Sequence, residues 1–171
     1  MRELLLLRHA KSSWDDATLD DADRPLAARG RKAAPVMARA MARRGWMPDL
    51  ALVSPALRSR QTWALVAAEL PRPVETRLAP EIYEAEPESI LDAIRSVPPA
   101  IRRLVVVGHN PGLEYLAESL AGPDSDAGAL ARLRTKFPTA ALARFEIGAD
   151  WSALTPGAAR LVGFFTPREF G

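Results

Sequence analysis

The stretch Leu4-Leu5-Leu6-Leu7-Arg8-His9-Ala10 determines how the chain is expected to fold. Four consecutive leucines pass directly into an arginine and a histidine. A short apolar run that is flanked by charge is typical of a buried strand, so we predict a strand over Glu3–Leu7. The polar residues would then lie at the carboxyl end of that strand.

Two later stretches have the same construction. Leu50–Val53 runs out into Ser-Pro-Ala-Leu-Arg (54–58), and Leu104–Val107 runs out into Gly-His-Asn-Pro-Gly (108–112). Both apolar runs predict buried strands. Ligands of open α/β sheets bind where the carboxyl ends of the strands meet, so three polar segments are expected at one edge.

Helical segments alternate with these strands. We predict helices over Leu26–Arg44, Ala56–Leu70, Pro87–Val97, Leu113–Leu120 and Gly128–Lys136, and two later strands over Ala140–Ile147 and Arg160–Phe165. Pro35 is expected to kink or delay the first helix. The alternation favours a three-layer α/β domain with a mostly parallel sheet, and 171 residues suit a single domain over 1–171.

Composition excludes several functions. The absence of Cys rules out disulfides, a thiol nucleophile and Cys-ligated metal sites. No apolar run is long enough for a membrane span or a signal peptide, so we expect a cytoplasmic protein with no membrane partner. A net charge of +2 predicts weak nucleic-acid binding, so no nucleic-acid partner is expected.

The chain has two histidines, His9 and His109, and both follow apolar strands. A lone histidine at such a position is more often a structural residue that a backbone hydrogen bond holds. Two of them at equivalent strand exits favour a functional pair. Arg8 lies beside the first, and Arg58 lies in the first turn of a helix, where the helix dipole disfavours a cation unless an anion is shared with the helix terminus.

These four side chains suit a phosphoryl group better than a metal ion. No carboxylate or third histidine adjoins either histidine, and the arginines would repel a divalent cation. Arginine holds phosphoryl oxygens through two parallel hydrogen bonds. One imidazole can attack phosphorus while the other stabilises the phosphoryl oxygens. We therefore expect neither a metal nor another cofactor.

The motifs Leu-Arg-His-Ala (7–10), Ser-Pro-Ala-Leu-Arg (54–58) and Gly-His-Asn-Pro (108–111) resemble the histidine phosphatase superfamily, also called phosphoglycerate-mutase-like. The longer signature is similar to its SixA-type phosphohistidine phosphatases. That signature includes Arg-His-Ala-Lys-Ser (8–12), Asp-Arg-Pro-Leu (23–26), Ser-Arg-Gln-Thr (59–62) and Phe-Thr-Pro-Arg (165–168). The resemblance implies an α/β/α sandwich with a six-stranded mixed sheet.

The resemblance also implies residue roles. His9 would be the nucleophile that becomes transiently phosphorylated. Arg8 and Arg58 would bind the phosphoryl oxygens, and His109 would complete the pocket. Weaker transfers place Asn110 and Ser12 or Ser13 in the pocket lining.

Larger relatives use a carboxylate as general acid after the second β–α unit. The nearest match is Glu81, which precedes Tyr83, with Glu84 as its rival. Both could instead be exposed loop charges. The acidic segment 15–23 is expected to be a solvated loop, or to repel polyanionic metabolites if it borders the site. Trp14 could contact substrate or pack against that loop.

The expected function is a metal-independent phosphatase that works through a phosphohistidine intermediate and releases inorganic phosphate. A phosphohistidine-bearing protein is the favoured substrate, because a chain this short has little room for a lid over a small ligand. Two alternatives remain: a phosphomonoesterase or mutase for a small phosphate ester, and a phosphate-binding module without activity.

Overall fold

The sheet of the computed structural model, which describes residues 1–170, contains six strands. They are β1 Arg2–Arg8, β2 Leu50–Val53, β3 Glu75–Leu78, β4 Arg103–Gly108, β5 Leu142–Ile147 and β6 Ala159–Phe165. Their order across the sheet is β3-β2-β4-β1-β5-β6. Only β5 runs against the other described strands, so the predicted mixed and mostly parallel sheet is confirmed.

Helices cover both faces of this sheet. They are α1 Ala28–Arg44, α2 Leu57–Ala68, α3 Pro87–Arg95, α4 Gly112–Leu120 and α5 Ala127–Thr135. Helices α1 and α2 pack on one face, while α3, α4 and α5 pack on the other, which confirms the three layers. In the part of the chain that the structure describes, no helix is both long enough and apolar enough to cross a bilayer.

The run of four leucines in β1 serves both cores. Leu4 and Leu6 belong to the cluster that includes α3–α5, and Leu5 and Leu7 belong to the cluster that includes α1 and α2. All four are at most 2% exposed. A strand that is covered on both faces reads as a continuous apolar run, which explains why β1 could be predicted.

Two features differ from expectation. Residue patterns indicated five strands and missed β3, whose four residues are all exposed at the sheet edge and carry no apolar run. Pro35 neither delays nor ends α1, which runs through it from Ala28 to Arg44. The remaining element ends lie within about two residues of prediction, the usual uncertainty of helix and strand boundaries.

The register of the central strands positions the site. Val107 of β4 is paired with Leu7 of β1 on one side and with Val53 of β2 on the other. The next residues of all three strands therefore leave the sheet side by side. In this way three segments that are far apart in sequence meet at one edge.

Candidate active site

A cavity of about 200 Å³ lies at the carboxyl ends of β1, β2 and β4. Its lining includes the predicted residues Arg8, His9, Ser12, Arg58, His109 and Asn110, and it does not include Glu81 or Ser13. The fold thus brings the predicted catalytic and binding residues together. Their roles depend on the contacts that each makes.

His9 is held in one tautomer. Its Nδ1 lies 2.7 Å from the carbonyl oxygen of Ala10, which can only accept, so Nδ1 carries the proton and donates it. The Ala10 N–H in turn donates to Thr62 Oγ1 of α2 at 3.0 Å. Burial lowers the pKa of His9 to about 4, assisted by the positive charges of Arg58 and Arg8. The neutral ring therefore keeps its Nε2 lone pair at physiological pH.

His109 faces His9, with the ring centroids 5.2 Å apart. Its Nε2 lies 2.7 Å from Ser54 Oγ, at the exit of β2. Its Nδ1 lies 3.4 Å from Arg58 Nη2 and 3.7 Å from Glu84 Oε1. Burial lowers the pKa of His109 to about 3, and positive charge on His9 and Arg58 contributes to the same shift. Both imidazoles are consequently neutral.

Arg58 is 1% exposed and occupies the first turn of α2. Its guanidinium donates to the Asp21 carbonyl at 2.7 Å, to Asp21 Oδ2 at 2.9 Å and to Glu84 Oε1 at 2.7 Å. The negative charge of these carboxylates offsets the unfavourable interaction of Arg58 with the dipole of its own helix. The pKa of Asp21 falls to about 2, mainly because the Tyr83 hydroxyl donates to it, with further help from Arg58.

A single backbone oxygen holds Arg8 and Asn110. Arg8 Nη1 and Asn110 Nδ2 each donate to the Phe137 carbonyl at 3.0 Å. Within residues 1–170 the buried Nε atoms of Arg8 and Arg58 make no hydrogen bond. A buried donor without a partner costs about 1–3 kcal/mol, so an anion in the cavity that accepts from them would be stabilised.

Arg24 is a cavity residue to which sequence reasoning assigned no role. It is buried, it donates to Ser12 Oγ at 2.8 Å and to Asp21 Oδ1 at 3.2 Å, and its Cζ lies 3.5 Å from the centroid of the Trp14 ring. Arg24 belongs to the Asp-Arg-Pro-Leu motif (23–26), but its spacing from Ser12 along the chain does not predict that the two side chains are in contact. Trp14 lines the cavity and is 70% exposed.

The two candidate general acids lie in different surroundings. Glu81 is exposed in the short turn Pro80–Ile82 and is not part of the cavity lining. Glu84 lines the cavity. A Cβ on Gly112 would overlap the carbonyl oxygen of Ala85, so the start of α4 packs tightly against the chain just after Glu84. That packing constrains the loop that carries Glu84.

The acidic segment 15–23 is only partly a solvated loop. Asp21 binds Arg58, Arg24 and Tyr83 at the cavity. The other four aspartates of the segment are exposed. Among residues 1–170, no group of three or more His, Asp or Glu side chains is arranged to hold a metal ion.

Comparison with known proteins places the chain in a family. Residues 4–86 match the model of the histidine phosphatase superfamily (branch 1). An uncharacterised protein of Mycobacterium tuberculosis, Rv1276c, is 37% identical over 95% of this chain and 100% of its own length. The chain belongs to the histidine phosphatase superfamily.

Two solved structures place it near one group of that family. A candidate phosphohistidine phosphatase SixA from Nakamurella multipartitia is 29% identical with a TM-score of 0.83, over 97% of this chain and 96% of that one. A candidate SixA from Agrobacterium tumefaciens is 31% identical with a TM-score of 0.82, over 97% and 98%. Together with the family match, these neighbours support phosphatase activity.

Proposed function

We propose that the protein is a phosphatase that removes phosphate from a phosphohistidine on a protein, through a phosphohistidine intermediate on His9. One observation carries the proposal. A neutral imidazole, with its proton on the nitrogen that faces a backbone carbonyl, shares a small cavity with Arg8 and Arg58. That arrangement leaves Nε2 of His9 free to act as a nucleophile toward an anion that the arginines hold.

In the first step, Nε2 of His9 forms a bond to phosphorus while the bond from phosphorus to the leaving nitrogen breaks. Arg8, Arg58 and Arg24 stabilise the negative charge of the phosphoryl oxygens. His109 accepts from Arg58 Nη2 at its Nδ1 and donates from its Nε2–H to Ser54 Oγ, so it orients the Arg58 guanidinium beside the phosphoryl group. In the second step, water attacks phosphorus, the Nε2–P bond breaks, and inorganic phosphate leaves.

The leaving group needs a proton when it departs. An imidazole leaves more readily than an alkoxide because its nitrogen can be protonated before the bond breaks. We assign Glu84 rather than Glu81 to any proton transfer, because Glu84 lines the cavity and Glu81 does not. No step draws on a metal, since three arginines supply positive charge in the cavity.

The size of the cavity favours a substrate whose bulk lies outside it. Ligand pockets commonly occupy about 300–1,000 Å³, whereas this cavity is about 200 Å³. It has room for a phosphoryl group and little more. The similarity to candidate SixA proteins points the same way. A small phosphate monoester is the runner-up substrate.

A substrate panel tests the proposal. The kcat/KM values for a phosphohistidine-bearing protein, a sugar bisphosphate, 3-phosphoglycerate and a nucleotide should rank the protein first. Alkaline quenching during turnover should trap phosphate on His9, and His9→Gln should lose both the trapped phosphate and turnover. A preference of about tenfold for any small monoester, or phosphate trapped on another residue, would contradict the proposal.

A further inference from the structure

A second depression, of about 540 Å³, adjoins the catalytic cavity, and Lys11 and Thr139 line both. We call it the cationic pocket because five basic side chains line it, which are Lys11, Arg29, Arg132, Lys136 and Arg168. They come from the loop after β1, from α1, from α5 and the residue after it, and from the carboxyl-terminal turn. Apolar residues, including Ala33 and Phe164, also line the pocket.

None of the five basic side chains of this pocket forms a salt bridge with a carboxylate of residues 1–170, although elsewhere the chain pairs many of its arginines with acids. Glu169 is the one carboxylate in the described lining, and it accepts hydrogen bonds from Thr166 as part of a helix cap. Five like charges repel one another, which destabilises the folded chain unless an anion joins them.

The position of Arg29 is unfavourable with respect to the dipole of its own helix. It lies in the first turn of α1, which begins at Ala28 and contains no acidic residue in that turn. The helix dipole disfavours a cation there. An external anion would turn this unfavourable position into a binding contact.

The exposure of the five cations indicates what kind of anion fits. All five are exposed. Small ligands are usually held by a few converging polar groups that the pocket largely encloses. A depression that combines apolar lining with exposed charged side chains is instead typical of a protein–protein interface. Charge complementarity therefore favours a protein segment with acidic side chains as the occupant.

We propose that the cationic pocket docks the phosphoprotein substrate, with acidic side chains near its phosphohistidine entering the pocket while the phosphoryl group enters the catalytic cavity. This inference rests on the proposed function and adds the chemistry of the partner. It also explains how so small a cavity can select a substrate, because recognition takes place mostly beside it.

Two synthetic phosphohistidine peptides test the docking. One has glutamates on both sides of the phosphohistidine, and the other has glutamines at the same positions. Free phosphohistidine, which has the same scissile bond and no flanking residues, reports the chemistry alone. At physiological salt the wild-type kcat/KM should favour the acidic peptide by about tenfold, and higher salt should weaken that preference.

Variants with altered charge test whether the cationic pocket causes the preference for the acidic peptide. Arg29→Glu combined with Lys136→Gln should reduce the preference to less than about threefold and leave turnover of free phosphohistidine within about twofold of wild type. Arg43→Glu combined with Arg102→Gln is the matched control, because it makes the same total charge change of three. Arg43 lies on the same helix about 21 Å from Arg29, which is more than twice the screening length at physiological salt. Arg102 is exposed and precedes β4, at the edge of the sheet opposite the catalytic cavity. This control variant should keep the wild-type preference.

The outcomes separate the two proposals. Turnover of free phosphohistidine with no preference between the peptides would overturn the docking alone. An equal loss of free phosphohistidine turnover in the double variant would also overturn it, since the cations would then serve the chemistry. No turnover of either peptide or of free phosphohistidine by the wild type would overturn the proposed function and the docking with it. Thermal melting checks folding, and Arg29→Glu should not lower Tm, because the helix dipole favours an acid there.

Discussion

The two histidines of the catalytic cavity should stay neutral far below the pH at which imidazole normally gains a proton. Burial lowers the pKa of His9 to about 4 and that of His109 to about 3. At pH 5.5 a group with a pKa of 4 is about 3% protonated, whereas an imidazole with a pKa of 6.5 is about 90% protonated. The predicted difference is large enough for a direct titration.

Proton NMR can follow the titration because the chain has two histidines in all. The two Cε1–H signals should show little shift between pH 8 and about pH 5. His9→Gln assigns the remaining signal, and it should raise the pKa of His109 by removing the charge that His9 would carry. In urea both signals should titrate near pH 6.5, which provides the unfolded reference.

The same pKa values predict a loss of stability in acid. The unfolded chain takes up protons on its histidines below about pH 6.5, and the folded chain does not until about pH 4. Stability therefore falls as the pH drops through this window. Each histidine should contribute a loss of about 2 kcal/mol by pH 5. Urea unfolding of wild type and His9→Gln at pH 7 and pH 5 measures this loss.

A midpoint above about pH 6 for either histidine in the folded protein would refute the reasoning. Such a value would mean that water or a carboxylate solvates the ring well enough to offset burial. It would also remove the basis for a neutral His9 nucleophile. Equal stability of the wild type at pH 7 and pH 5 would contradict the linkage argument independently.

Three further predictions concern the catalytic machinery. Arg58→Lys should lower kcat/KM about 10- to 150-fold, because one charged hydrogen bond contributes about 1.5–3 kcal/mol. Arg60→Lys, which changes an exposed arginine two residues further along the chain, should leave kcat/KM unchanged. Comparable losses in the two variants would contradict the role of Arg58. Glu84→Gln should slow hydrolysis of a phosphate monoester by about tenfold or more, and hydrolysis of phosphohistidine by less. Glu81→Gln should hydrolyse both substrates at rates near those of the wild type. Equal effects of the two changes would exclude Glu84 as the general acid. Dialysis against EDTA should leave activity unchanged, and a loss that a divalent ion restores would show that the reaction needs a metal.

Much of the fold, and the two histidines of the cavity, could be predicted from short apolar runs in the sequence. Leu4–Leu7 is an apolar run because helices cover both faces of β1, so burial left a direct trace in the sequence. His9 and His109 could be placed together because parallel strands end at a common edge. Strand β3 left no such trace, since an exposed edge strand buries no side chain.

The partners of the catalytic residues could not be read in this way. Arg58 and Asp21 are 37 residues apart, and Arg8 is held by a backbone carbonyl 129 residues away. A carbonyl oxygen is present at every residue, so residue type carries no signal for it. Spacing could not decide between Glu81 and Glu84 either. Both side chains are exposed and they are three residues apart, yet only Glu84 lines the cavity.

The length and period of the apolar runs were sufficient to predict the α/β architecture and the strand ends that carry His9 and His109, because such runs record which residues are buried. The folded structure was needed to show that Asp21 and Glu84 bind Arg58, that Arg24 lines the cavity, and that five basic residues from four segments form one pocket. Such contacts depend on how the connections between strands position segments that are distant in sequence. The residue pattern within one segment does not indicate which other segments it contacts.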